Sequence, residues 1–211
     1  MTDHIEVLTH SSIRIAADAG IIYFDPFNVE GKPADADYIF ITHDHYDHFS
    51  PDDIKKISKG DTLMIAPEKM RAKAQDMAGD LGELFFVEPG KSYAIGNISF
   101  ETVAAYNVLK PFHPKSAGWV GYIIEADGQR IYVAGDTDRT KESEKVVCDI
   151  ALVPVGGTYT MNASKAAGLI NVIRPKVAIP THYGSIVGKK EDAQTFAGLV
   201  KEPVKVVIRN V

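Results

Sequence analysis

The stretch Tyr38-Ile39-Phe40-Ile41-Thr42-His43-Asp44-His45-Tyr46-Asp47-His48 runs from an unbroken apolar strand into three histidines and two aspartates within six positions. Tyr38–Ile41 has the continuous hydrophobicity of a strand covered on both faces. Three imidazoles in one short segment repel each other when protonated. Around a divalent cation they become complementary, because neutral imidazole and carboxylate are the ligands that Zn, Mn and Fe take. A strand end suits such a site, since it holds the first ligand rigid while the loop folds the others around it. A solvated polar loop is the competing reading.

Two more strand ends supply partners of the right type. Ile131-Tyr132-Val133-Ala134-Gly135-Asp136 sets Asp136 just past a buried strand, where a carboxylate could bridge two cations. Val177-Ala178-Ile179-Pro180-Thr181-His182 delivers His182 in the same way, so that Thr-His follows a strand in both halves of the chain. His10 reads as a structural residue bonded to nearby backbone, and His4 as exposed. Trp119, ahead of Val120-Gly121-Tyr122, reads as sheet core, and Lys141–Lys145 as a solvated helix face.

The surrounding pattern is β-rich with helices between strands. Ile5–Leu8, Ile13–Ala16 and Ile21–Phe24 alternate with turn residues as strands. Ser50-Pro51-Asp52-Asp53 has the N-cap, first-turn proline and acids of a helix start. Leu63–Ala66 predicts a strand and Pro67–Met77 a helix. Strands follow at Leu84–Val87, Ile98–Ala105, Val120–Glu125 and Ile131–Ala134, with Asp127-Gly128 as a hairpin turn. The last third alternates: strand Ile150–Val153, helix Ala163–Ile173, strand Val177–Pro180, helix Asp192–Val200, strand Val204–Ile208. This pattern predicts an α+β chain with two packed sheets and helices on the outer faces, forming a single domain over residues 1–211.

Composition narrows the function classes. Hydrophobic residues at 45% and charged residues at 24% are those of an ordinary globular protein. With 23 Lys and Arg against 28 Asp and Glu, the net charge is −5, which offers no general attraction to a nucleic-acid backbone. Cys148 is the only cysteine, so no intrachain disulfide forms, and its apolar neighbours suit a buried thiol. No apolar run is long enough for a membrane span, and the first residues lack a secretory pattern. The expected setting is cytoplasmic, with a small-molecule substrate, no nucleic-acid or membrane partner, and a homo-oligomer allowed.

The order THxHxDH after a strand, GDT after a strand, then a late histidine after a strand resembles the metallo-β-lactamase superfamily over nearly the whole chain. His10-Ser11-Ser12, Asp25-Pro26-Phe27 and Pro154-Val155-Gly156-Gly157-Thr158-Tyr159 are similar to its small UlaG-like branch of metal-dependent hydrolases. The resemblance implies a four-layer αββα sandwich with one or two divalent ions (Zn, Mn or Fe) at one edge of the sheets. His43 and His45 would hold the first ion, Asp47, His48 and His182 the second, with Asp136 between them. A further histidine is usual for the first ion at a strand end where this chain has Tyr106-Asn107. Asn107 could ligate only through a carboxamide oxygen, and His113 is the nearest imidazole.

The activity implied is hydrolysis of an ester-type bond, with a lactone or phosphodiester as substrate. Asp47 would orient the attacking water and take its proton, while His113, Asn107 or Tyr159 would contact the substrate. A non-catalytic metal-binding or regulatory module and a di-iron redox protein are the readings from other classes.

Overall fold

The computed structural model describes residues 2–209, arranged as two mixed sheets packed face to face. The first sheet has the order β1-β2-β3-β4-β5-β6, formed by Ile5–Thr9, Ser12–Ala17, Gly20–Phe24, Ala36–Phe40, Ser58–Pro67 and Glu83–Val87. Strands β1 to β3 are antiparallel, with β2 and β3 joined at Asp18-Ala19, and β3 to β6 run parallel. The second sheet runs β13-β12-β11-β10-β9-β8-β7, from Lys205–Val206, Val177–Thr181, Ile150–Pro154, Gln129–Val133, Val120–Ala126, Ile98–Ala104 and Ser92–Ile95. It repeats the plan, antiparallel through β7–β10 and parallel through β10–β13.

Three apolar layers hold the sandwich. Between the sheets, Phe24 stacks on Phe40 at 5.0 Å, and Phe40 meets Phe100 and Tyr122 edge-on at 5.1 and 5.0 Å. Each fully buried side chain of this size contributes roughly 1.5–3 kcal/mol relative to exposure. The other face of the first sheet is covered by α1, Pro51–Ile57, which buries Ile54 and Ile57 against Ile39, Ile41 and Met64. Ser50 caps this helix, its hydroxyl accepting from Asp53 N, with Pro51 in the first turn. The second sheet's outer face carries α3 (Ala163–Ile173) and α4 (Lys190–Leu199), through Leu169, Ile170 and Phe196. Asn162 caps α3, accepting from Lys165 N at 2.9 Å. The four-layer α+β sandwich is thus present. No helix of the described residues is long and apolar enough to cross a membrane.

Several local expectations are corrected. The helix expected over Pro67–Met77 is broken into a 3-10 turn at Glu68–Met70 and the short α2, Arg71–Gln75. Neither piece has a side-chain N-cap, and Gly79 and Gly82 follow closely, so nothing sustains a longer helix. Lys141–Lys145 contains only a 3-10 turn, Ser143–Lys145. The sheet-edge strand β7 has no continuous apolar run and escapes the sequence pattern, while the last strand shortens to Lys205–Val206. At Asp127-Gly128 both φ angles are positive, 50° and 71°, as a two-residue hairpin turn requires. Cys148 is half-buried against the outer core, and burial pushes its thiol up to about 12.

Candidate metal centre

Loops leaving the ends of β1, β4, β8, β10 and β12 bring together two sets of potential ligands. In the first set, His43 Nε2 and His113 Nε2 each lie 3.2 Å from His45 Nδ1. Thr42 fixes the His43 ring. Its hydroxyl donates to Asp25 Oδ2 at 2.6 Å and so must accept from His43 Nδ1 at 2.9 Å, leaving the Nε2 lone pair facing the cluster. His113 is delivered by the loop after β8 with a left-handed backbone, φ 59°. Trp119 packs against all three rings, with centroids 5.0 to 5.1 Å away.

The second set holds His10, Asp47, His48 and His182, whose ligand atoms lie within 4.8 Å of one another. Asp47 Oδ2 is 3.2 Å from His10 Nε2, 3.7 Å from His48 Nε2 and 4.0 Å from His182 Nε2. His48 Nδ1 donates to buried Asp25 Oδ2 at 2.7 Å, which turns Nε2 toward the set. His182 N donates to the carbonyl of His10 at 2.9 Å, tying the β1 and β12 ends together. A Cβ at Gly156 would fall 2.2 Å from His182 O, so only glycine lets the neighbouring loop pass. Asp136 lies between the sets. Its Oδ2 is 3.2 Å from His182 Nε2, 3.8 Å from His113 Nε2 and 3.9 Å from His43 Nε2, and its Oδ1 is 3.3 Å from His48 Nε2.

These residues fit divalent cations on their own chemistry. Nε2 of His10, His48 and His182 and Oδ1 of Asp136 are buried without a hydrogen-bond partner. Orphaned buried polar groups are costly, and ions held among these atoms would satisfy them. In the first set one His45 nitrogen faces two others, and it has a single proton or a single lone pair to offer them. Tetrahedral ligation at about 2.05 Å places nitrogens roughly 3.3 Å apart, close to the spacing seen. A third grouping, Asp25 with His43 and His48, is already explained by the hydrogen bonds through Thr42 and His48 Nδ1.

Electrostatics agree. Burial, then the neighbouring His48, pushes His43 well below its ordinary value, and burial takes His113 down to about 4. Burial also lowers His10. Rings neutral at pH 7 offer lone pairs. Burial works against a charge on His48 too, but Asp136 and Asp25 outweigh it and hold the ring well above its ordinary value. Burial opposes the Asp136 carboxylate, yet His182 and His48 keep it well below the usual range. A cation would take the place of the His48 proton between these carboxylates.

The profile of the β-lactamase superfamily domain matches residues 4–182. A UPF0173 metal-dependent hydrolase of Symbiobacterium thermophilum is 31% identical over 94% of this chain and 92% of its own length. Another, from Staphylothermus marinus, is 36% identical over 82% and 74%. The chain belongs to the β-lactamase superfamily, in its UPF0173 family of metal-dependent hydrolases. Among solved structures, a Parabacteroides distasonis protein assigned as a metal-dependent hydrolase superposes with a TM-score of 0.81 at 32% identity, covering 97% of this chain and 91% of that one.

In this family member a cleft of about 370 Å³ opens over the ligands, between Tyr46 and Asp47 on one side, Phe112 and Tyr159 on another, and Ile186-Val187. The structure brings His43, His45, Asp47, His48, Asp136 and His182 together, with His45, Asp47 and Asp136 lining the cleft, and adds His113 and His10. Five readings are revised or narrowed. His113, which the sequence leaves between a ligand and a substrate contact, lies in the first ligand set, fully buried. Asn107, also read as a substrate contact, is buried and spends both amide protons, on Phe112 O at 3.0 Å and Tyr159 O at 2.7 Å. It braces two loops. His10 bonds no backbone through its ring and instead packs on His182 with centroids 3.8 Å apart. Trp119 is half-buried over the histidines rather than sheet core, and His4 is half-buried rather than exposed. Tyr159 stands on the cleft wall, where a substrate contact would be. Thr9-His10 repeats the strand-end pattern of Thr42-His43 and Thr181-His182, and that repetition was the available signal for His10.

Proposed function

We propose that the chain hydrolyses an ester-type bond, a lactone or a phosphodiester, in a small molecule, using one or two divalent ions (Zn, Mn or Fe). The observation that carries this reading is the convergence of buried, unpartnered imidazole and carboxylate atoms on two adjoining sets that share Asp136 beneath an open cleft. His43, His45 and His113 would hold one ion, His10, Asp47, His48 and His182 the other, with Asp136 between. When bound, such ions make water acidic enough to attack near neutral pH and draw off charge from the attacked bond.

The chain's own groups supply the rest. Asp47 lies on the cleft wall. Burial opposes its charge, but His10 overrides this and holds the carboxyl below its ordinary range, so it is ionised at neutral pH. It can therefore orient the attacking water and accept its proton. Tyr159 faces the substrate from the opposite wall. The lone half-buried Cys148 supports a cytoplasmic setting.

Asp47→Asn tests the chemistry. Turnover of lactone, thioester or phosphodiester substrates should fall by about two orders of magnitude, with the melting temperature and most of the bound metal retained. Full activity in that variant would make Asp47 a turn residue. A metal-loaded wild type inert to every ester class would favour the non-catalytic module, and visible iron absorption would favour the di-iron redox reading.

A further inference from the structure

The cleft has a chemical character that its ligands do not dictate. Apart from His45, Asp47 and Asp136, the residues lining it are Tyr46, Phe112, Tyr159, Ile186 and Val187, all aromatic or aliphatic. Four of them are large and exposed: Tyr46 at 66%, Phe112 at 48%, Ile186 at 39% and Tyr159 at 36%. Exposed apolar groups gathered round a concave site mark the place where an apolar ligand is covered. The wall is also built rather than incidental. Phe112 and Tyr159 meet edge-to-face at 5.0 Å, and Asn107 Nδ2 grips the carbonyls of both.

Charge points the same way. No Lys or Arg lines the cleft among the described residues. Of the lysines on the flanking loops, Lys110 is bonded to the carbonyls of Gly157 and Thr160 and lies 3.3 Å from Asp138. Lys73 is bonded to the carbonyl of Asp44. Ions held at the floor would draw in the reacting group of any such substrate, but no Lys or Arg lines the walls to pair with a charged substituent or leaving group. A neutral ester with an apolar substituent needs no such partner.

We infer that the substrate is an uncharged carboxylic ester or lactone whose alkyl or aryl group lies between the Phe112–Tyr159 wall and Tyr46, Ile186 and Val187. The inference rests on the hydrolytic reading above and narrows it. A volume of about 370 Å³ suits a single ring or a medium alkyl chain.

Two measurements on the metal-loaded full chain separate this inference from the reading it rests on. The first is kcat/KM for γ-lactones and p-nitrophenyl esters of increasing chain length, beside bis(p-nitrophenyl) phosphate. The value should climb roughly two- to fourfold per methylene until the cleft is filled. Phe112→Ala and Ile186→Ala should flatten that slope without changing metal content. The second uses Trp119, the only tryptophan, beside His45 on the cleft floor. Neutral 4-nitroanisole should quench its emission saturably, and at least threefold more weakly in Phe112→Ala. A flat chain-length series, or a phosphodiester turned over faster than every ester, overturns the inference while hydrolysis stands. Saturable quenching that weakens in Phe112→Ala, with no ester hydrolysed, sustains the apolar subsite and removes the hydrolytic reading. Quenching that does not saturate removes the subsite.

Discussion

Asp25→Asn alters one buried oxygen without changing size, and the hydrogen bonds around it allow the consequence to be worked out. Asp25 is 1% exposed. Its Oδ1 accepts from Thr42 N at 2.8 Å, and its Oδ2 accepts from Thr42 Oγ1 at 2.6 Å and His48 Nδ1 at 2.7 Å. All the partners donate, so a carboxylate suits all of them and a carboxamide does not. If the new NH2 replaces Oδ1, it opposes the Thr42 N–H, which cannot change role. If it replaces Oδ2, the Thr42 hydroxyl can rotate to accept, but His48 must either lose its bond or move its proton to Nε2. A proton on Nε2 occupies the lone pair that faces Asp47 and Asp136.

The lost interaction is a buried hydrogen bond to a charged group, worth about 1.5–3 kcal/mol. At about 1.4 kcal/mol per tenfold, metal affinity at the His48 set should fall roughly 10- to 150-fold. That range matches the usual effect of removing an outer partner of a ligating histidine. The assay is competition for Zn against a chromophoric chelator at fixed pH, with melting of the metal-free protein as the control for folding. The His43 set should weaken less, because Thr42 can still accept from His43 Nδ1. If both ions bind within twofold of wild type and the metal-free protein melts unchanged, Asp25 does not set the His48 tautomer and the reasoning fails.

Two other substitutions probe the ligand sets directly. His10→Ala should weaken one of two metal-binding steps about tenfold or more and leave the other, whereas a residue that only braces backbone would lower the melting temperature and spare both steps. His113→Ala should weaken the other step to a similar degree, while Asn107→His should not tighten it, because His113 already occupies that place and the Asn107 amide is committed to two carbonyls. A tighter step in Asn107→His, measured by the same chelator competition, would show that the first ion lacks an imidazole.

What was legible in the sequence was local. His43, His45, Asp47 and His48 declare themselves by density, and Asp136 and His182 by standing just past continuous apolar strands. The sandwich was readable for a similar reason: strands buried on both faces, such as β4, β11 and β12, leave unbroken apolar runs, and caps such as Ser50 mark helix starts. Where burial is one-sided or capping absent, as at β7 and after Pro67, the pattern faded.

His113, Asn107 and Trp119 are hard to place from sequence for a different reason. Their roles depend on how the loop after β8 folds back, and no periodicity records that. The loop closes by Asn107 N donating to His113 O at 2.8 Å, which sends the ring inward and leaves Phe112 on the cleft wall. One hydrogen bond thus sets both a candidate ligand and a candidate specificity wall, although the residues involved look like an ordinary polar turn in sequence. Asp25 and His10 were hidden differently. Each follows a strand, as Asp136 and His182 do, but each has only one ligand-type residue near it in sequence, and its partners arrive from strands distant in the chain. A strand end bearing a single acid or histidine becomes informative only when counted with the others. Five strands here, β1, β3, β4, β10 and β12, are followed within three residues by a histidine or aspartate that joins one buried network. A run of unrelated turn residues would not place all five at one edge, which is why the shared position after buried strands carries more weight for this site than any one motif within it.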